Sequence, residues 1–304
     1  MPTPITGMVS AQPGELIFSN VVVCPTTSTC PDGLQSLTVT NTGTDSATIT
    51  GWTFTGLNPS EFEVITPAAL PVTVEPGAAL TVQVHLKGQK SSSAGVFKAS
   101  LNAVGTAFSP VGLSGLRANS MEGTNEPPMG QIADALGIKM NVGWPGLESS
   151  TTTFPLGDEV INPMFVKAGS GTVSMTPVAR YSPDGATPFG YFTLSGTAAV
   201  RQTVGTLVAG QYQTLNPAVS GSTTFDPGTA AFGTYIDPQA YGYKFTYTKD
   251  SLNEGKTAHA VRVYPFKDSS GVAVANAYLL AFEPSVNGDY QDAVFVIRNV
   301  KPAP

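Results

Sequence analysis

Charge, histidine, cysteine and tryptophan are all scarce in this chain of 304 residues. Charged side chains make up 12% of it, against about 25% in an average soluble domain. The 15 Lys and Arg residues are scattered, and the formal net charge is −6. No basic patch exists to gather phosphates, which argues against a nucleic-acid partner. No apolar run reaches the roughly 18–20 residues that span a bilayer, so membrane insertion is not expected. The opening stretch MPTPITGMVSAQPGE has neither a charged n-region nor an apolar core, so no signal peptide is expected in it. That leaves a cytoplasmic chain, or a mature form or fragment whose export signal lies outside it. The low charge and abundant Thr and Ser favour the second.

Other absences exclude chemistry. His85 and His259 are too far apart in sequence to suggest a zinc site, and Cys24 and Cys30 alone cannot complete one. No G-x-S-x-G motif accompanies either histidine, so a Ser–His–Asp apparatus is not expected. Long runs of Ala, Leu, Glu, Lys and Arg at helical spacing are missing too. What the chain has instead is 32 Gly, 25 Pro and many Val, Thr and Ser. β-Branched residues broken often by Gly and Pro give short strands and tight turns. The fold class expected is all-β.

Cys24 and Cys30, in CPTTSTC, are spaced for a small disulfide loop, with free thiols as the alternative. A disulfide there supports an oxidising compartment.

Two regions are expected, residues 1–118 and residues 130–304, joined by a linker at 119–129 within the polar stretch ANSMEGTNEPPM (118–129). In the first, Ser36–Thr42 alternates Leu37 and Val39 against Thr38 and Thr40. Leu80, Val82, Val84 and Leu86 likewise share one face of a strand. A register shift is expected at Gly51, before Trp52 and Phe54. About seven strands in roughly 100 residues is the count of an immunoglobulin-like sandwich. In the second region about ten candidate strands, Ile138–Val142 among them, suggest a larger, jelly-roll-like sandwich. One helical turn is expected near Asp134–Leu136.

The stretch LTVTNTGTDSATITGWTFTGLNPSEFEV, followed by VTVEPGAALTVQVHLKG, resembles the immunoglobulin-type repeat of Hydin-like proteins and secreted bacterial surface proteins. Asn41-Thr42-Gly43, Phe62–Val64 and Pro76-Gly77 stand at the family's turn, strand and turn positions. The resemblance covers about a third of the chain and implies a spacer or adhesive module. TTFDPGTAAFGTY, AHAVRVYPFKDSSGVAVANAYLLAFE and NGDYQDAVFVIRNVKPA resemble the C-terminal β-domain of large secreted bacterial proteins. The closing Asp289-Tyr290-Gln291-Asp292 is similar to the DYND motif of calcium-dependent surface β-domains, with Gln291 in place of Asn.

The acidic loop between the apolar strands Ala277–Phe282 and Ala293–Ile297 is the main candidate site. Glu283, Asn287, Asp289 and Asp292 are hard oxygen ligands of the kind calcium takes. Asp226, from TFDPG, is a further candidate ligand arriving from another strand. The alternative is a solvated hairpin turn made by Asn287-Gly288. Carboxylates on a solvated loop keep ordinary pKa values, so Glu283 and Asp292 are not expected to work as a glycosidase pair. Trp52, Trp144 and the tyrosines Tyr235, Tyr241, Tyr243 and Tyr247 are candidates for glycan contact. Core packing is the alternative, because alternation places Tyr243, Phe245 and Tyr247 on one face.

The function expected is that of a non-catalytic, extracellular structural or adhesive β-protein of a bacterial cell surface. Its expected cofactor is calcium. Its expected partners are other surface proteins, copies of itself, or glycans. A pair of carbohydrate-binding modules and a self-assembling subunit of a surface layer or filament are the alternatives.

Overall fold

The computed structural model describes residues 8–24, 30–88, 94–120, 126–143, 152–161, 164–254 and 259–304. The chain divides into two compact units that part after Ser120.

The first unit is a two-sheet sandwich. Its strands are β1 (Met8–Gln12), β2 (Glu15–Val21), β3 (Leu34–Asn41), β4 (Ala47–Ile49), β5 (Gly51–Thr55) and β6 (Phe62–Thr66). They continue with β7 (Val72–Val74), β8 (Ala79–Leu86), β9 (Gly95–Val104), β10 (Ala107–Phe108) and β11 (Val111–Ala118). One sheet runs β10-β1-β3-β8-β6 and the other β2-β11-β9-β5. The alternation in the sequence sets their faces: Leu37, Val39, Val82, Val84 and Leu86 are buried, and meet Leu16, Phe18, Leu101 and Leu113 from the opposite sheet. The expected shift at Gly51 is a change of sheet. β4 pairs with β7, and after Thr50 the chain joins β9 as β5.

Buried Asn41 organises the turn after β3. Its amide donates to the carbonyls of Asp45 and Val74, both at 2.8 Å, and its Oδ1 accepts from the Gly43 amide at 2.9 Å. Cys24 and Cys30 form a disulfide, with a Cα–Cα distance of 6.0 Å. The residues between them, and Trp144, lie outside the described residues.

The second unit is the larger sandwich. Its strands are β12 (Phe165–Lys167), β13 (Val173–Tyr181), β14 (Thr187–Ser195), β15 (Ala198–Leu207), β16 (Gln213–Leu215), β17 (Val219–Gly221) and β18 (Thr224–Phe225). After them come β19 (Gly233–Ile236), β20 (Thr246–Tyr247), β21 (Val261–Lys267), β22 (Ala273–Phe282), β23 (Ala293–Arg298) and β24 (Val300–Pro302). One sheet runs β16-β13-β23-β22-β21, with β18 also on β13, and the other β17-β15-β14-β19-β20. The chain passes repeatedly between the sheets and closes with the antiparallel meander β21-β22-β23. Phe189 of the second sheet meets Phe295 of the first at 4.9 Å between ring centroids, in a core with Met175, Leu207, Ile236, Leu280 and Phe282.

The first sheet is covered on its outer face as well, since β23 is buried from Ala293 to Ile297. Residues 138–143 and 152–160 contribute to that cover. The Tyr264 hydroxyl donates to the Val142 carbonyl at 2.9 Å, and the Val160 amide to Val263 O at 2.8 Å. Ile138–Val142, expected as a strand, is therefore no strand. Ile138 and Val142 are buried, but the segment is held by contacts such as Asn141 N to Asp158 Oδ2, 2.9 Å, rather than by a ladder. Just before it, α1 (Met129–Ala135) makes two turns where one was expected. It buries Met129, Ile132, Ala133 and Ala135.

Candidate metal centre

The β22–β23 hairpin places the acidic loop. Phe282 pairs with Ala293, so Glu283 and Asp292 stand on either side of the hairpin mouth. The ten-residue loop 283–292 folds inward, with Gly288 and Tyr290 at positive φ (77° and 57°). Three successive amides consequently converge on Glu283 Oε2: Gly288 at 2.9 Å, Asp289 at 3.0 Å and Tyr290 at 3.4 Å. The Ser285 amide donates to Oε1 at 2.8 Å. A left-handed Tyr is unfavourable by itself. Here the side chain holds it: the Tyr290 hydroxyl donates to His259 O at 2.5 Å, and the Arg262 guanidinium lies 4.6 Å from the ring centroid.

Far from being solvated, as the sequence suggested, Glu283, Asp289 and Asp292 are 0%, 7% and 6% exposed. The loop is packed under side chains from distant parts of the chain. One carboxylate oxygen from each of the three lies within 4.8 Å of the others. A calcium ion with ligands at about 2.3–2.6 Å bridges oxygens up to roughly 5 Å apart, so this spacing fits one ion. Among the described residues no cation pairs with any of the three. The buried Arg180 donates only to Ser182 Oγ and to the carbonyls of Pro183, Gly185 and Val208.

The electrostatic consequence is large. Burial, followed by the charge of Glu283, pushes the Asp289 carboxyl up to about 8. Burial, with Glu283, Asp289 and Glu126 behind it, pushes Asp292 well above the usual carboxylate range, and Arg180 offsets only part of that. Asp289 Oδ2 accepts from Asn287 Nδ2 at 2.5 Å and from Gln291 Nε2 at 2.9 Å, while its Oδ1 accepts no hydrogen bond among the described residues. The Gln291 side-chain oxygen is likewise buried without one.

Not every expected ligand is here. Asn287 enters as a donor to Asp289. Asp226 is a correction: it is exposed, and its Oδ1 accepts from Lys167 Nζ at 2.8 Å and from the Gly228 amide at 2.9 Å. The Asp-Pro-Gly stretch caps its own turn. Three polar groups of the site were missed altogether. Glu126 takes hydrogen bonds from Gln213 (2.6 Å) and Gln291 (3.0 Å), and Gln291 is 165 residues away in sequence. Nothing local marks Glu126, Gln213 or Arg180 as neighbours of this loop.

The histidines are fully engaged. His259 lies between Glu159 (2.7 Å) and Asp250 (2.8 Å), and Arg262 also pairs with Glu159. Burial disfavours the imidazolium, but the hydrogen bonds to Asp250 and Glu159 outweigh it and raise His259 to about 9. His85 contacts Glu63 at 3.0 Å and the Asp32 carbonyl at 2.9 Å. Neither ring keeps a free nitrogen for proton transfer.

The tyrosine cluster separates. Tyr235 and Tyr247 are buried, 6.1 Å apart, and Tyr247 packs edge-on against Phe192 at 5.3 Å. Tyr241 meets Tyr243 at 5.6 Å, and burial pushes its phenol up to about 12. Tyr243 is half-buried and lines two neighbouring cavities of about 320 and 340 Å³.

No family model matches the chain, and no curated protein matches it. Among solved structures, the Pseudomonas aeruginosa CupB2 chaperone is similar at 12% identity and a TM-score of 0.26, over 95% of this chain and 99% of that one. The secreted serine protease VesC from Vibrio cholerae is similar at 9% and 0.24, over 94% of this chain and 49% of the protease. CBD12 from CALX1.2 is similar at 10% and 0.25, over 77% and 83%. Likeness this slight carries no argument about function.

Proposed function

We propose that this chain is a non-catalytic structural or adhesive β-protein of a bacterial cell surface, with a calcium ion bound at its C-terminal hairpin. The observation that carries the reading is three buried carboxylates brought together, with Asp289 Oδ1 accepting no hydrogen bond among the described residues. A buried charge cluster is costly unless it is protonated or neutralised by a cation. Glu283, Asp289 and Asp292 would hold the ion, and Asn287 and Gln291 would orient Asp289. Hard oxygen donors suit calcium, and extracellular modules bind it in the ~10⁻⁴–10⁻³ M range. The Cys24–Cys30 disulfide supports an oxidising compartment. The resemblance of the first region to Hydin-like repeats supports a spacer or adhesive role, with other surface proteins or further copies of the chain as partners.

Calcium titration by calorimetry tests this. One site is expected in the wild type. It should be lost in both Asp292→Ala and Asp289→Asn, and magnesium should compete poorly because it holds to octahedral geometry. A wild type that releases no heat and retains no calcium on dialysis defeats the reading.

A further inference from the structure

We propose that the outer face of the β15-β14-β19-β20 sheet binds an acidic saccharide, a sugar residue bearing a carboxylate, with Arg201 as the anchor. This goes beyond the calcium reading and does not depend on it.

The surface is built by the sheet register. Arg201 pairs with Phe192, Thr203 with Gly190, and Tyr235 with Tyr247, so these side chains share the face turned away from the core. Glycine makes room there: a Cβ at Gly233 would stand 2.4 Å from Phe192 Cζ. The result is an aromatic platform of Phe192, Tyr235, Phe245 and Tyr247.

Arg201 lies on that platform. Its guanidinium carbon is 3.8 Å from the Phe245 ring centroid, and Nη1 donates to the Tyr247 hydroxyl. The side chain is exposed, and among the described residues it makes no ion pair. The acid lining the same cavity, Glu254, is already taken by Lys244 at 2.7 Å. Arg201 is thus an oriented cation whose other N–H donors have no acceptor among the described residues.

The cavity beside it holds about 340 Å³, within the ~300–1,000 Å³ of small-molecule sites. Tyr243 and Phe245 separate it from the neighbouring 320 Å³ cavity, which extends to Pro284. Chemistry narrows the ligand. A guanidinium fork matches a planar carboxylate, and fixing it in advance lowers the entropy lost on binding. A phosphate dianion would ask for more than one uncommitted cation. The half-buried ring of Tyr243 suits the C–H face of a sugar ring, and Gln239 adds a polar side chain at the edge.

The test is calorimetric titration of the full chain, in calcium-containing buffer, with trigalacturonate and 3′-sialyllactose. Methyl-esterified trigalacturonate and lactose serve as neutral controls, and a short peptide with a free C-terminal carboxylate as a rival carboxylate. At least one acidic sugar should bind at least about tenfold more tightly than its neutral counterpart. Arg201→Gln should lose about tenfold or more at unchanged melting temperature, and Arg201→Lys should fall between. If neither acidic sugar binds at millimolar concentration, or both substitutions leave affinity unchanged, the proposal is overturned. Preference for the peptide also overturns it, by replacing the saccharide. Because calcium is present throughout, a failed calcium site and a failed sugar site give separate results.

Discussion

Asp289 is one of two aspartates in the C-terminal hairpin whose carboxyls burial raises above the usual range. It is buried beside Glu283, with one oxygen unpartnered among the described residues, and its carboxyl is raised to about 8. Because that pKa lies above the unfolded value, the folded state binds the proton more tightly. In chelator, this group's contribution to stability is present below about pH 4 and is lost as pH rises toward 8. A calcium ion bound there would take the proton's place, so the gap between calcium and chelator melting curves should widen from pH 5 to pH 8. Asp289→Asn removes the charge. In chelator at pH 8 it should melt above the wild type, and it should no longer respond to calcium. A variant that melts lower in chelator would show that the charge is satisfied by contacts within the protein. His259 has its own pH dependence. Its pKa is raised to about 9, so its contribution is complete below about 6.5 and lost as pH rises through 9. His259→Gln should flatten the fall in stability between pH 7 and pH 9.5, read by urea denaturation with calcium present.

Among the elements, the alternating strands were legible in the sequence, because one residue of error in register would turn every apolar side chain to water. The strand at Leu80–Leu86 and the disulfide are where the sequence put them. Short pieces such as β7, β10 and β18 left no pattern long enough to read, and α1 is only seven residues after Pro128. The acidic loop was visible as a cluster, but its burial was not: Glu126, Arg180 and Gln213, which surround it, are contributed by other elements far away in the chain. Asn41 shows how much one side chain can hold an element. Asn41→Ala leaves the buried Val74 carbonyl without its donor and should cost the first unit about 1–3 kcal/mol in urea denaturation. Reduction of Cys24–Cys30, which closes a loop with a sequence separation of 6, should cost about 2 kcal/mol by chain entropy. Thiols that label fully without reductant, followed by mass spectrometry, would contradict the bond.

At the scale of the whole molecule, two β-sandwich units are joined in one chain, and the acidic cluster belongs entirely to the second. Its neighbours Glu126 and Arg180 belong to that unit too. Calcium should therefore stabilise the second unit and leave the first unchanged. Calorimetric melting of the full chain at pH 7.5, across a range of free calcium from chelator to millimolar, tests this most directly. The account predicts that the transition of the second unit rises with calcium, by roughly 2.7 kcal/mol of added stability when calcium is a hundredfold above its dissociation constant. The first unit's transition should stay fixed, and the rise should be absent in Asp289→Asn. Melting that is the same in chelator and in millimolar calcium would contradict the account.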